Sequence, residues 1–209
     1  MFGGSCEVWV LVCSDLAPAI RRRLLWCRSR ALKKARRLCR SYRERGFVVG
    51  AEDEATFGLI PRLGRGWAPR GSRRVVLVEP RNQSRQVFAA RSRRSFVFGF
   101  SRRKRQKDFL AFLEKLHRRW GKVLLFLDNV SAHRGRQVQA YEQAHRKTLK
   151  LIYFPAYSPE LNPVEPCWKP ARQALSNRLL RTIPAMQYHL RKTFHSKLSL
   201  PKMFIYLRD

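Results

Sequence analysis

Residues 122–127 read Lys-Val-Leu-Leu-Phe-Leu and run directly into Asp128. A segment apolar at nearly every position suits a central strand of a parallel sheet, which must be covered on both faces. The stretch before it, Gln106 to Trp120, is apolar at 109, 110, 112, 113, 116 and 120, which is the helical period. A helix followed by a doubly buried strand commits this part of the chain to an α/β architecture.

The other elements build outward from that pair. Phe47 to Ala51 reads as a first strand, ended by Glu52-Asp53-Glu54. Residues 61–73 are rich in Pro, Gly and Arg and read as a loop. Arg74 to Val78 is expected as a second strand, and Gln86 to Ala90 and Ser95 to Phe100 as a hairpin or one interrupted strand. Arg134 to Arg146 is expected as a helix and Leu149 to Phe154 as a strand stopped by Pro155. Asn162 to Leu180 is a helix with Asn162 as N-cap and Pro163 at its first position. Thr182 to Phe194 is the last helix. Strands first and then alternation imply a mixed sheet with helices on both faces, in the order of the ribonuclease H-like fold. The expected division is a basic, helical N-terminal extension over 1–45, a five-stranded α/β domain over 46–200 and a tail over 201–209.

Charge narrows the partners. The 209 residues carry 45 Lys and Arg against 14 Asp and Glu, a net charge of +31. Such a chain seeks a polyanion, most commonly nucleic acid. Residues 21–45 concentrate the charge, with twelve Lys or Arg and the single acid Glu44. Hydrophobic residues make up 44% of the chain, enough for a core. No apolar run reaches the roughly 18 residues that span a membrane. The early run Val8 to Cys13 precedes its basic cluster, the reverse of a signal peptide. The five cysteines, Cys6, Cys13, Cys27, Cys39 and Cys167, show no CxxC spacing, so neither a zinc site nor a disulfide framework is expected.

In so basic a chain the acids are scarce, and their positions carry information. Asp53 ends the first strand, Asp128 ends the apolar strand, and Glu165 lies in the first turn of the helix from Asn162. Strand ends and helix starts are where α/β sites assemble. Three carboxylates there could hold two Mg²⁺ ions about 4 Å apart, an arrangement suited to phosphoryl transfer. Each acid also has a plain structural reading, as a strand-end cap or as a charge favoured at a helix N-terminus. Glu52, Glu54 and Glu160 stand close enough to compete for the assignment.

Longer motifs surround these acids. Leu127-Asp128-Asn129-Val130-Ser131-Ala132-His133 resembles the second-acid motif of the DDE transposases of the mariner superfamily. The stretch from Phe154 to Trp168, Phe-Pro-Ala-Tyr-Ser-Pro-Glu-Leu-Asn-Pro-Val-Glu-Pro-Cys-Trp, resembles the third. Asp53-Glu54, then Phe57, then Arg65-Gly66-Trp67-Ala68-Pro69-Arg70-Gly71 resemble the first acid and the loop after it. The likeness is to the bacterial insertion-sequence branch and covers about residues 45–195.

The resemblance implies a catalytic and metal-binding triad of Asp53, Asp128 and Glu165 holding two Mg²⁺ or Mn²⁺ ions. It implies Glu54 as a non-catalytic neighbour, and Tyr157, Ser158, Pro159 and Asn162 as the turn that delivers Glu165. DNA contacts are expected from Arg62, Arg65, Arg70, Arg73, Asn129, His133, Arg134, Lys169 and Arg172. The implied reaction is metal-dependent hydrolysis at transposon ends, followed by attack of the freed 3′-hydroxyl on target DNA, usually at TA. Double-stranded DNA and a second copy of the chain, as a homodimer pairing two ends, are the implied partners. The bacterial cytoplasm, at the nucleoid, is the implied location.

Two departures from the family pattern stand out. Only about 45 residues precede the first strand, fewer than a helix-turn-helix reader of transposon ends needs, so a truncated front is expected. Pro166 and Pro170 follow Glu165, and an interior proline costs about 3 kcal/mol or a kink. The competing reading is therefore an inactive remnant that binds DNA non-specifically. A ribonuclease H-like nuclease of RNA–DNA hybrids is disfavoured by the Ser158 to Pro163 stretch. A basic structural protein would not need a buried strand ending in Asp128.

Overall fold

The computed structural model describes residues 33–196 apart from 61, 66, 73, 74 and 155–160. Helix α1 covers residues 33–44. Then follow β1 (Val48–Gly58), β2 (Ser84–Ser92), β3 (Phe96–Ser101), α2 (Gln106–Trp120) and β4 (Val123–Leu127). A short 3-10 turn (Ser131–Arg134), α3 (Arg136–Ala144), β5 (Leu149–Tyr153), α4 (Glu165–Leu175) and α5 (Ile183–His195) complete the order.

The five strands form one mixed sheet in the order β3-β2-β1-β4-β5. β1 to β3 are antiparallel, whereas β4 and β5 run parallel to β1. This is the ribonuclease H-like sheet the element order suggests. β4 is buried at all five positions, as its composition requires.

The two faces carry separate cores. On one, Phe109, Phe112, Leu113 and Leu116 of α2 pack on Phe88, Leu125 and Leu127, joined by Val138 of α3. On the other, Trp168, Ala171 and Leu175 of α4 and Met186, Leu190 and Phe194 of α5 cover Ala51, Ala55, Phe57, Leu124 and Phe126. Cys39 of α1 joins this second core. Cys39 and Cys167 are buried free thiols, whereas Cys6, Cys13 and Cys27 lie outside the described residues. No helix among the described residues is long and apolar enough to cross a membrane.

Four expectations need correction. The first strand does not stop at the acids: β1 continues through Asp53 to Gly58, paired with β2 throughout that stretch. The expected second strand over Arg74 to Val78 is absent over residues 75–78, and that place in the sheet belongs to Ser84–Ser92. Val75 and Leu77 are 81% and 69% exposed, so β-branched composition there met no partner. The helix expected from Arg134 runs only over Arg136–Ala144, preceded by the 3-10 turn. Finally, α4 starts at Glu165 and stops at Leu175 rather than spanning Asn162 to Leu180. Its first-turn proline is Pro166, and the helix continues through Pro170. Pro170 lacks the N–H that would have bonded the Pro166 carbonyl.

The last helix follows its signals closely. Thr182 caps it, its Oγ1 accepting from the Ala185 N–H at 3.3 Å. The expected extension over residues 1–45 is described only from 33 onward, and the tail over 201–209 lies outside the described residues.

Candidate active site

The site begins with strand parity. The β1–β4 register stops at Ala51 opposite Phe126. Side chains alternate along a strand, so residues two further along each chain return to the same face. Those positions are Asp53, within β1, and Asp128, one residue past the end of β4, whose Oδ1 turns to His133 Nδ1 at 2.8 Å. Ala51, Ala55, Leu124 and Phe126 bury that face against α4 and α5. Asp53 thus lies in mid-strand, just past the point where parallel pairing ends and the sheet opens.

Glu165 arrives from above the same face. The Asn162 side chain donates from Nδ2 to the Glu52 carbonyl at 2.9 Å, tying the turn before α4 to β1 beside Asp53. Its Oδ1 accepts from the Val164 N–H at 3.1 Å. Asn162 therefore caps a turn ahead of the helix, and Glu165 opens α4 one turn later. Trp168 then points back to the sheet, and its Nε1 donates to Asp53 Oδ2 at 2.6 Å.

Charge on this face is unresolved. Asp53 is 7% exposed. Burial pushes its carboxyl up to about 7, and the nearby Glu165 and Asp128 charges add to the rise against the Trp168 hydrogen bond. Glu165 is also raised, by burial first; Arg172 opposes the shift and Asp128 adds to it. Three carboxylates from separate elements feel one another here, with Arg172 and Lys104 acting on Glu165 from the outside.

The opposite face is different. Glu52 and Glu54 point away from α4, toward His133 in the 3-10 turn. His133 is fully buried, with Nε2 3.2 Å from Glu54 Oε1 and 3.7 Å from Glu52 Oε2. Its Nδ1 lies 2.8 Å from Asp128 Oδ1. Burial alone would lower the imidazole, but Asp128, Glu54 and Glu52 outweigh it and push the ring up to about 11. Lys104 Nζ stands 3.4 Å from Glu54 Oε2. Glu52 is fully buried, and burial holds its carboxyl well above the ordinary range despite His133. The ligand atoms of Glu52, Glu54 and His133 lie within 4.8 Å of one another, close enough for a metal. The imidazolium already supplies a positive charge at that position.

The structure therefore brings Asp53, Asp128 and Glu165 to one place, with Asn162 serving their approach. The expectation that His133 touches DNA does not hold, because its ring is buried and both nitrogens are engaged. Arg62, Arg65 and Arg70 lie exposed in the β1–β2 connection. Asn129 and Arg134 are exposed beyond β4, with the Arg134 guanidinium 4.7 Å from the centre of the Tyr153 ring. Lys169 and Arg172 are exposed on α4. Arg73, Tyr157, Ser158, Pro159 and Glu160 lie outside the described residues. The partnership of Trp168 with Asp53 escaped sequence reasoning. Its signal was the Trp three residues after Glu165, which in a helix places both on one side.

Residues 49–187 match the family model of the DDE superfamily endonucleases. The chain belongs to that family. The DDE resemblance read from the sequence is borne out by that match. The insertion element IS630 uncharacterized 39 kDa protein of Shigella sonnei is 31% identical over 137 residues, covering 62% of this chain and 38% of that protein. This DDE chain thus spans less than half the length of that relative. The catalytic domain of Mos1 mariner transposase superposes with a TM-score of 0.55 at 15% identity, covering 80% of each chain. The Mos1 mariner paired end complex with Mg gives 0.57 at 16%, covering 80% of this chain and 54% of that one. The ribonuclease H-like fold is shared with both.

Proposed function

We propose that this chain is the catalytic core of a DNA transposase, acting through Asp53, Asp128 and Glu165. One observation supports the reading: of three carboxylates, from β1, just past β4 and the start of α4, the charges of Asp128 and Glu165 both bear on Asp53, and that of Asp128 on Glu165. All three offer oxygen donors, the kind Mg²⁺ and Mn²⁺ take. Bound by these three residues, two such ions supply Lewis-acid stabilisation of the attacking and leaving oxygens of an in-line displacement at phosphorus. The solved Mos1 neighbour in complex with Mg is consistent with that choice.

The other residues prepare the site. Trp168 holds one Asp53 oxygen and so fixes the direction of the other. His133 braces Asp128 from behind. Asn162 sets the start of α4 and with it Glu165. Arg62, Arg65, Arg70, Arg73, Asn129, Arg134, Lys169 and Arg172 supply contacts to the DNA backbone, and the net charge of +31 gathers it. The full reaction is hydrolysis at transposon ends and transfer of the freed 3′-hydroxyl into target DNA at TA. Two copies pair the two ends, at the bacterial nucleoid. Residues 46–200 form the catalytic domain and 1–45 a basic DNA-binding extension.

The test is nicking of a supercoiled plasmid with Mg²⁺, Mn²⁺ or EDTA, comparing the wild type with Asp128→Asn. Metal-dependent nicking lost in the variant is the expected result. Binding to the plasmid without metal-dependent nicking would identify the chain as an inactive, DNA-binding remnant.

A further inference from the structure

The connection between β1 and β2, residues 59–83, is long and its described residues are largely exposed, yet it is fastened at two points to the link between α4 and α5. At the first, Asn177 reads the backbone of Gly64 from both sides: Gly64 N–H donates to Asn177 Oδ1 at 2.9 Å, and Asn177 Nδ2 donates to the Gly64 carbonyl at 3.1 Å. Asn177 has a φ of 56°, the left-handed region that Asn tolerates and most residues avoid. Gly64 suits the clasp because a Cβ there would meet Ser176 Oγ at 3.0 Å and Ser176 Cβ at 3.2 Å. At the second point, Arg81 Nη2 donates to the Arg181 carbonyl at 3.1 Å.

The clasp has a consequence for charge. Between the base of the connection and α4 lies a cleft of about 200 Å³, lined by Thr56, Ile60, Arg62, Arg172 and Leu175 among others. Two arginines share it, and among the described residues no carboxylate lines it. Arg172 lies seven residues after Glu165 on α4, about 10 Å along the helix axis and on the same side. Each DNA strand carries a phosphate every 3.4 Å of duplex axis. A strand reacting at the acidic site would thus bring a phosphate two or three nucleotides away to this cleft.

We propose that Asn177 is a positioning residue, which by clasping Gly64 holds Arg62 opposite Arg172 and so builds a cleft for a backbone phosphate of the bound DNA. The proposal rests on the DNA-processing reading above. It predicts that the arginine contact is lost when the clasp is lost, although Asn177 touches no phosphate.

The test uses the full chain and a 30-base-pair duplex, with binding followed by anisotropy across a salt series. Asn177→Gly keeps the backbone conformation and removes the clasp. Asn177→Asp keeps the acceptor and removes the donor. Arg62→Ala should lower affinity about fivefold and reduce the salt slope by about one. Asn177→Gly should do the same, Asn177→Asp should fall between it and wild type, and Asn177→Gly with Arg62→Ala should be no weaker than Arg62→Ala alone. Trypsin should cut after Arg62 and Arg65 faster in Asn177→Gly. A wild-type salt slope in both Asn177 variants, or a double variant as weak as the product of the singles, would overturn the proposal. A wild type that fails to nick but shows this salt pattern removes the transposase reading and leaves the cleft. Nicking with unaltered slopes in the Asn177 variants removes the cleft and leaves the reading. A wild type that binds no DNA overturns both.

Discussion

The two faces of the sheet around Glu52-Asp53-Glu54 treat consecutive acids in opposite ways. Toward α2, Glu52 and Glu54 meet His133 and Lys104, so negative charge is met by positive charge from the chain itself. Toward α4, Asp53 meets Glu165 and Asp128, and what it gains is the neutral N–H of Trp168. A face that neutralises itself is scaffold. On the α4 side like charges gather around Asp53, and the His133, Arg172 and Lys104 charges that offset them act on Asp128 and Glu165. Strand parity alone separates the two, since adjacent residues must point to opposite sides.

The sharpest way to break this comparison is to remove carboxylates from each face. Asp53→Asn, Asp128→Asn and Glu165→Gln should each reduce nicking by at least about 1,000-fold while leaving plasmid binding intact. Glu54→Gln should leave most nicking in place. Equal losses from Glu54→Gln and Asp53→Asn would erase the distinction between the faces.

Next in size is the scaffold itself. His133→Ala leaves buried Glu52 without its countercharge, and breaking a buried pair in this way costs about 3–5 kcal/mol. Chemical denaturation should show that loss in metal-free protein. A stability change below about 1 kcal/mol would mean that the imidazole is not the neutralising group.

Trp168→Phe addresses the other face with a smaller change. The ring stays, the N–H goes, and Asp53 loses its orienting partner. Apparent metal affinity in the nicking assay should weaken about 10- to 100-fold, the usual effect of removing a ligand's hydrogen-bond partner.

The smallest effect is the pH dependence, and its sign differs from the usual carboxylate. The Asp53 carboxyl is raised from 3.8 to about 7, so between those values the folded chain holds more protons than the unfolded chain. Stability from this group therefore falls as pH rises from about 4 to 7. His133, raised from 6.5 to about 11, contributes stability that is full below 6.5 and lost as pH climbs toward 11. Mg²⁺ should reverse the first loss and not the second. Thermal melts should show a Mg²⁺-dependent rise of a few degrees at pH 8, little at pH 5, and none in Asp53→Asn.

Much of this was legible in the chain. The apolar run into Asp128 fixes a central strand and locates one acid, because a doubly buried strand leaves no ambiguity about what surrounds it. The α2 helix is written in its own period. The extent of β1 was not legible: three acids in a row look like a turn, and only Trp168 and His133, about 115 and 80 residues away, make them acceptable inside a sheet. The β-branched residues at 75, 76 and 78 misled for the opposite reason, having strand composition without a strand to pair with. Asn162 reads as the N-cap of the helix, but Val164 holds that place, and the Asn162 bond to the Glu52 carbonyl depends on tertiary placement that no local pattern records.

The link from Asn162 to Glu52 spans 110 residues, and that from Trp168 to Asp53 spans 115. During synthesis from the N-terminus, β1 through β5 emerge before either link can form. A growing chain that ends short of Glu165 carries two of the three acids and lacks the helix that would bring the third. The proposed acidic site can therefore close only once the segment from Asn162 to Trp168 has been made.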